Sequence, residues 1–220
     1  LCEFRLDLTR QIEAEFAELK NSELKLPDND IAAITAYFAL PDLKQRPEGW
    51  ESVARWKKAD PEFARWVDQN VQPHKHPDYG MVTVSLKPIG GIPGDASDAQ
   101  MDIVADIAEE YAFDEIRISH EQNIILPHVA LADLEPVYRA LQGAGLATAN
   151  AGLITDIIAC PGLDYCALAN ARSIPLSQEI SNRFGSAERQ AEIGELKIKI
   201  SGCINACGHH HVGHIGLLGV

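Results

Sequence analysis

Four of the five cysteines fall in the last third of the chain, as Cys160-x5-Cys166 and Cys203-x3-Cys207, with 36 residues between the pairs. Paired thiols at such spacing have several chemistries open to them. As thiolates, two pairs brought together by an intervening helix and strand can hold one polynuclear centre, which is how iron–sulfur clusters are ligated. As zinc ligands they fit less well, because structural zinc sites favour two to four residues within a pair and small autonomous knuckles. Disulfides are disfavoured where no secretory signal is read. Buried free thiols are the remaining reading, and Cys2, isolated near the N-terminus, takes it. The surroundings point to a cofactor. Cys160-Pro-Gly-Leu-Asp-Tyr-Cys166 reads as a loop running into Ala167–Ser173, whose small residues let a flat group or another backbone come close, and glycines bracket the second pair in Ser201-Gly-Cys203-Ile-Asn-Ala-Cys207-Gly208. His209, His210, His211 and His214 follow. A strand would send His209 and His211 to one face and His210 to the other, so these histidines read as polar groups edging an anionic cofactor rather than as three ligands of one ion.

The elements that must position these residues are legible in the hydrophobic pattern. Lys197–Ile200 alternates as a strand leading into the second pair, and Ile215–Val220 is strand-like. Upstream, Met81–Leu86 reads as a half-buried strand and Gly90–Gly94 as a loop. A helix capped by Ser97 or Asp98 follows, with Val104, Ile107, Ala108 and Tyr111 forming its apolar stripe. Its opposite side, Asp98, Asp102, Asp106 and Glu109, reads as a solvated face. Two short β-rich runs, Glu115–Ser119 and Gln122–Leu126, flank His120-Glu121, and a helix over Leu131–Gln142 is stopped by Gly143 and Gly145. The order β-α-β-β-α is most of a ferredoxin-like α+β unit, whose remaining strand must come from elsewhere in the chain or from a second copy. Residues 1–75 read as helical and accessory, with helices over Leu6–Lys20, Asn29–Leu40 and Pro61–Asn70; Trp50, Trp56 and Trp66 read as packing anchors. Gln72–Pro77, with two prolines and little to bury, reads as a linker. The expected division is a helical segment and linker over 1–76, a ferredoxin-like half-domain over 77–146 and a cofactor domain over 147–220.

Composition narrows the function. A chain of 220 residues, 46% apolar and 23% charged, can bury a sizeable core. Its net charge of −13 argues against nucleic-acid and anionic-membrane partners, which call for clustered Lys and Arg. The bias is uneven: residues 1–75 carry 11 basic and 14 acidic side chains, residues 76–220 carry 8 and 18. No run reaches the roughly 18 apolar residues of a membrane span. The nearest, Gly143–Leu163, is interrupted by Thr148, Asn150, Thr155 and Asp156 and reads as a buried segment. The opening Leu-Cys-Glu has neither a basic nor a hydrophobic leader region, so the expectation is a cytoplasmic protein represented by a piece of a longer chain.

With these motifs assembled, the chain resembles the nitrite and sulfite reductases. The residues that carry the resemblance are Cys-x5-Cys, the strand into Ser201-Gly-Cys-x3-Cys-Gly208, the Gly-rich strand ending Gly216-Leu-Leu-Gly219, and Ile118-Ser-His-Glu-Gln-Asn-Ile-Ile125 in the preceding half-domain; together they cover Met81 to Val220. The resemblance implies an α+β fold: a ferredoxin-like half-domain followed by a partial α/β domain for sirohaem and a 4Fe–4S cluster. It implies Cys160, Cys166, Cys203 and Cys207 as cluster ligands, with Cys207 also bridging to the sirohaem iron and so standing at the catalytic centre. Gln122, Asn123 and Asn205 match polar positions near sirohaem, and Arg117, Arg172, Lys197 and Lys199 are the cations available for its carboxylates. The implied reaction is the six-electron reduction of sulfite to sulfide, or alternatively of nitrite to ammonia, with electrons from a ferredoxin or a flavoprotein. Family members carry two pseudo-symmetric copies of this arrangement and draw their anion-binding Arg and Lys mainly from the first; one copy is detected here. Ile204, where members often carry proline, and the His209–His211 run depart from the pattern. A non-catalytic zinc or iron–sulfur structural module is the reading from a different functional class.

Overall fold

The computed structural model describes residues 2–220, and side chains from Leu6 onward; Leu1 and the thiol of Cys2 lie outside the described residues. The chain divides into two compact units, Leu1–Leu43 and Lys44–Val220. The first holds α1 (Cys2–Leu19) and α2 (Asp28–Ala36), matching the first two expected helices. The stripe Leu8, Ile12, Phe16 and Leu19 that predicts α1 is exposed.

The second unit begins with α3 (Gly49–Ala59) and α4 (Pro61–Asn70). The Asp60 carboxylate starts α4 by accepting from the backbone N–H groups of Glu62 and Phe63, with Pro61 at the first helical position. α3 is absent from the sequence-based expectation. Its Val53, together with Phe63 and Trp66 of α4, enters the main core, so these helices belong to the half-domain's packing. Trp66 is fully buried against Phe63 and Tyr138, with ring centroids 6.1 and 5.1 Å away. Trp56 packs at the edge of that core, whereas Trp50 is exposed and anchors nothing there.

The tract expected to be a linker opens instead with β1 (Val71–Pro73), which pairs antiparallel with β2 (Tyr79–Val84). A strand holding proline is tolerated at a sheet edge, where its missing N–H faces away from the ladder. The rest of the half-domain follows in the expected order: α5 (Asp98–Tyr111), β3 (Arg117–Ile118), β4 (Ile124–Ala130) and α6 (Leu134–Gly143). The sheet order is β1-β2-β4-β3, all antiparallel, so the strand lacking from β-α-β-β-α is supplied from the N-terminal side by β1. Ser97 caps α5 in a reciprocal capping box with Gln100. The acidic face of α5 is exposed, while Val104, Ile107 and Ala108 pack with Val82, Val84, Leu126, Val137 and Leu141.

A second sheet, β5 (Ile158–Ala159), β6 (Ile198–Ser201) and β7 (Ile215–Leu218), is parallel in the order β5-β6-β7. The crossover from β5 to β6 carries α7 (Ile174–Phe184) and α8 (Ala187–Ile193). The connection from β6 to β7 holds no α-helix and contains the second cysteine pair.

The Gly143–Leu163 segment is buried where it meets both sheets, and the polar residues interrupting it form a closed network. Asn150 donates to the Lys87 carbonyl and the Thr155 hydroxyl and accepts from Ser85 at 2.7 Å. Asp156 accepts from the Gly152 N–H at 2.8 Å, from Asn123 at 3.0 Å and from the ammonium of Lys87 at 2.6 Å. Lys87 and Asp156 are both buried, and burial pulls the lysine pKa down against the opposing pull of the carboxylate. Among the described residues no helix is long and apolar enough to cross a membrane.

Candidate metal centre

Both cysteine pairs start at the C-terminal ends of neighbouring parallel strands, where open α/β sheets place their ligands. Ala159 of β5 lies opposite Ile200 of β6, and Cys160, the next residue, extends the ladder by donating its N–H to the Ile200 carbonyl at 3.1 Å. Two residues beyond β6 stands Cys203. The loop from Cys160 makes a 3-10 turn over Gly162–Asp164, with the Cys166 N–H on the Gly162 carbonyl at 2.8 Å. It then returns to the second loop: Asn170 and Ala171 both donate to the Gly202 carbonyl, at 2.8 and 3.0 Å. The glycines are required by this approach. A Cβ on Gly202 would stand 3.0 Å from the Gly162 Cα and 2.9 Å from the Ala171 oxygen, so any side chain would push the loops apart.

The second loop is equally tight. Ala206 adopts a left-handed conformation (φ 57°) that reverses the chain, and the Gly208 N–H returns to the Ser201 hydroxyl at 3.2 Å. A Cβ on Gly208 would lie 1.9 Å from the Ile200 oxygen, which only glycine avoids. All four cysteines carry free thiols, against the disulfide reading: Cys160 and Cys203 are buried, Cys166 is half-buried and Cys207 is exposed. The Gly202 N–H points at the Cys160 sulfur at 3.0 Å, the kind of contact that tunes a thiolate ligand.

Among the described residues no three Cys, His, Asp or Glu side chains gather as ligands of a single ion. Four free thiols on two loops joined at Gly202 are the donor types that either a zinc ion or an iron–sulfur cluster takes. Two buried side-chain atoms without a partner lie in these loops, Asp164 Oδ2 and His210 Nδ1. Unpaired buried polar atoms in a native structure need an explanation, of which a water or a bound group is one. His210 Nδ1 in particular is a group that a cluster sulfide or a sirohaem carboxylate could satisfy. By donor chemistry the four thiols fit an iron–sulfur cluster.

The other expected site residues are placed differently from one another. Asn205 is exposed between Cys203 and Cys207. Asn123 is buried, with its amide oxygen on the Leu86 N–H at 3.1 Å and its NH2 on Asp156, so its hydrogen-bonding atoms are engaged within the protein. Gln122 spans to the backbone of Ala159. Arg117 is paired with Glu115 at 2.5 Å, Arg172 with Asp164 at 2.6 Å and Lys197 with Glu195 at 3.6 Å, while Lys199 is buried in β6. The histidine run is not a strand: His209 is left-handed (φ 52°) and His210–Val212 form a 3-10 turn, because the chain must turn to enter β7. The His209 ring stacks on His120 with a nitrogen–nitrogen distance of 2.6 Å.

Lys87 and Asp156 escaped sequence reasoning. The available signal was the polar interruptions of an apolar segment, which mark buried partners as readily as they mark the absence of a membrane span.

Residues 74–144 match the model of the nitrite/sulfite reductase ferredoxin-like half domain. The chain carries that half domain. The match runs from just after β1 through α6, so it takes in β2, α5, β3, β4 and α6 and leaves β1 and the helices before it outside. Relatives extend the likeness beyond it. Sulfite reductase (ferredoxin) 2 of Mycolicibacterium paratuberculosis is 29% identical over 144 residues, covering 64% of this chain and 25% of that protein. The chloroplastic ferredoxin–nitrite reductase of Zea mays is 28% identical over 183 residues, covering 80% of this chain and 30% of that protein. The structure of the Mycobacterium tuberculosis NirA protein superposes with a TM-score of 0.51 at 24% identity, over 64% of this chain and 25% of that one, which speaks to the fold. The chain thus spans between a quarter and a third of the length of these relatives.

Proposed function

We propose that the chain is the cofactor-holding portion of a sirohaem-dependent assimilatory sulfite reductase, catalysing the six-electron reduction of sulfite to sulfide. The observation that carries this reading is the placement of two free cysteine pairs on glycine-tight loops at the ends of β5 and β6, docked against a nitrite/sulfite reductase half domain. Cys160, Cys166, Cys203 and Cys207 would hold a 4Fe–4S cluster, and Cys207, the exposed member, would also serve as the ligand on the sirohaem side. When bound, this pair of groups supplies electrons one at a time to a small oxyanion.

The chain's own part is to hold that pair rigidly. The Gly202 N–H donates to the Cys160 sulfur, and Gly162, Gly202 and Gly208 let the two cysteine loops pack against each other and against β6 without displacing the strands. Exposed apolar Tyr165, Leu168 and Ile204 flank the cysteines and offer a surface for a flat macrocycle. Nitrite is the second substrate to weigh, because a relative named as a nitrite reductase matches a larger share of the chain than the sulfite reductase does. The anion-binding cations and the docking surface for a ferredoxin or flavoprotein donor are assigned to the remainder of the enzyme, and the compartment to the cytoplasm.

The test is to load the chain anaerobically with iron, sulfide and sirohaem and record its absorption spectrum with and without Cys207→Ser. Coupled haem and cluster bands that are lost in the variant are expected. A variant with an unaltered spectrum would remove Cys207 from the bridging role, and titrating the loaded full enzyme with sulfite and nitrite separates the two anions.

A further inference from the structure

The turn between β3 and β4, Ser119–Asn123, touches both cysteine loops. Gln122 donates its amide N–H to the Ala159 carbonyl at 3.1 Å and accepts from the Ala159 N–H at 3.2 Å, so a side-chain amide takes the place of a neighbouring strand on the residue immediately before Cys160. His120 reaches the opposite loop through its stacked, hydrogen-bonded contact with His209, two residues after Cys207. The turn itself is fixed from behind by Asn123 on Asp156 and by the Lys87 ammonium on the Glu121 carbonyl.

Gln122 sits at φ 58°, in the left-handed region that a residue with a side chain enters at a cost and that glycine enters freely. The conformation gives the position what glycine would not: an amide aimed at β5. We propose that this turn is a positioning element for the cluster ligands, with Gln122 setting the Cys160 loop and His120 the Cys207 loop. The inference rests on the reading of those cysteines as ligands and changes the expected role of Gln122 from contact with sirohaem to placement of a thiolate. It also gives the half domain a task in the cofactor site that needs no contact with the cofactor.

Gln122→Gly separates placement from folding, since glycine relieves the backbone strain while removing both hydrogen bonds. In the metal-free chain, alkylation of the buried Cys160, followed peptide by peptide, is expected to accelerate about tenfold or more in Gln122→Gly, because two hydrogen bonds that hold its loop are gone. Exposed Cys207 should react at an unchanged rate. Ser97→Ala, which removes the cap of α5 and leaves both Gln122 hydrogen bonds in place, controls for general destabilisation and should leave Cys160 slow. His120→Ala is expected to speed backbone hydrogen exchange at Ala206–His209 and not at Cys160.

In the chain loaded with iron and sulfide, Gln122→Glu, of the same size, puts a carboxylate beside the Cys160 loop and is expected to shift the cluster's midpoint potential downward, with Gln122→Gly lacking that charge effect. Equal Cys160 alkylation in wild type and Gln122→Gly, or a potential unmoved by Gln122→Glu, would overturn the positioning role. Failure of the wild-type chain to take up iron and sulfide would instead overturn the ligand reading, and the alkylation contrast would still judge the turn on its own.

Discussion

Single side chains in this protein matter chiefly through what they leave behind when removed. Lys87 and Asp156 form a buried ion pair whose carboxylate is completed by Asn123 and the Gly152 N–H. Asp156→Ala would strand a buried ammonium, and denaturant unfolding is expected to show a loss of about 3–5 kcal/mol. Replacing both partners, as Lys87→Met with Asp156→Leu, should cost less than that single change, since no uncompensated charge remains. A double variant less stable than Asp156→Ala would mean that the pair contributes more than its own neutralisation. The cysteines obey a different logic: no disulfide joins the four paired thiols, so Cys203→Ser should leave the metal-free chain folded while abolishing cluster retention. Their spacing was legible in the sequence because ligand sets are written as residue types. The roles of Gln122 and Asn123 were not, because an amide near a cofactor and an amide spent on backbone look alike until the partners Ala159, Leu86 and Asp156 are placed.

Elements with strong periodicity or explicit caps were read closely. The span of α4 agrees with expectation residue for residue, and α5 starts at its Ser97 capping box. Ser97→Ala should cost about 1 kcal/mol in thermal or chemical unfolding. What escaped was short or set by tertiary partners. β5 is two residues long, β1 carries proline within a polar tract, and α3 follows a proline-rich stretch that reads as a break. Each exists because another element completes it, which a local pattern does not encode.

The tract after β1 also holds a titratable relay. The His76 N–H donates to His74 Nδ1, His74 Nε2 meets His128 Nδ1 at 2.9 Å, and His128 Nε2 faces Glu115 at 3.3 Å, with Arg117 nearby. Burial lowers the pKa of both histidines below the ordinary value near 6.5. The unfolded chain therefore binds more protons than the folded one around and below that pH. The relay's contribution is complete above about pH 6.5 and is lost as pH falls from there toward the lower folded values. Melting temperature should drop on acidification through this window, and His128→Asn should flatten the dependence; a wild-type profile rising toward pH 5.5 would refute the sign.

At the scale of the whole molecule, two architectures share one task. An antiparallel half domain presents a rigid turn, and a parallel sheet presents two loops at its C-terminal edge, with the buried segment of Asn150 and Asp156 binding one to the other. The α+β class and the β-α-β-β-α order were readable from alternation and helical stripes. The edge strand's N-terminal origin and the cores shared with α3 and α4 depended on long-range packing. Redox chemistry in this chain stands or falls on whether the four thiols hold iron and sulfide, so the decisive measurement is iron, zinc and acid-labile sulfide on the anaerobically purified and reconstituted chain. Iron and sulfide in nearly equal amounts, with little zinc and with both lost in Cys203→Ser, is the predicted result. Stoichiometric zinc without sulfide would contradict it and make the cysteine loops a structural knuckle.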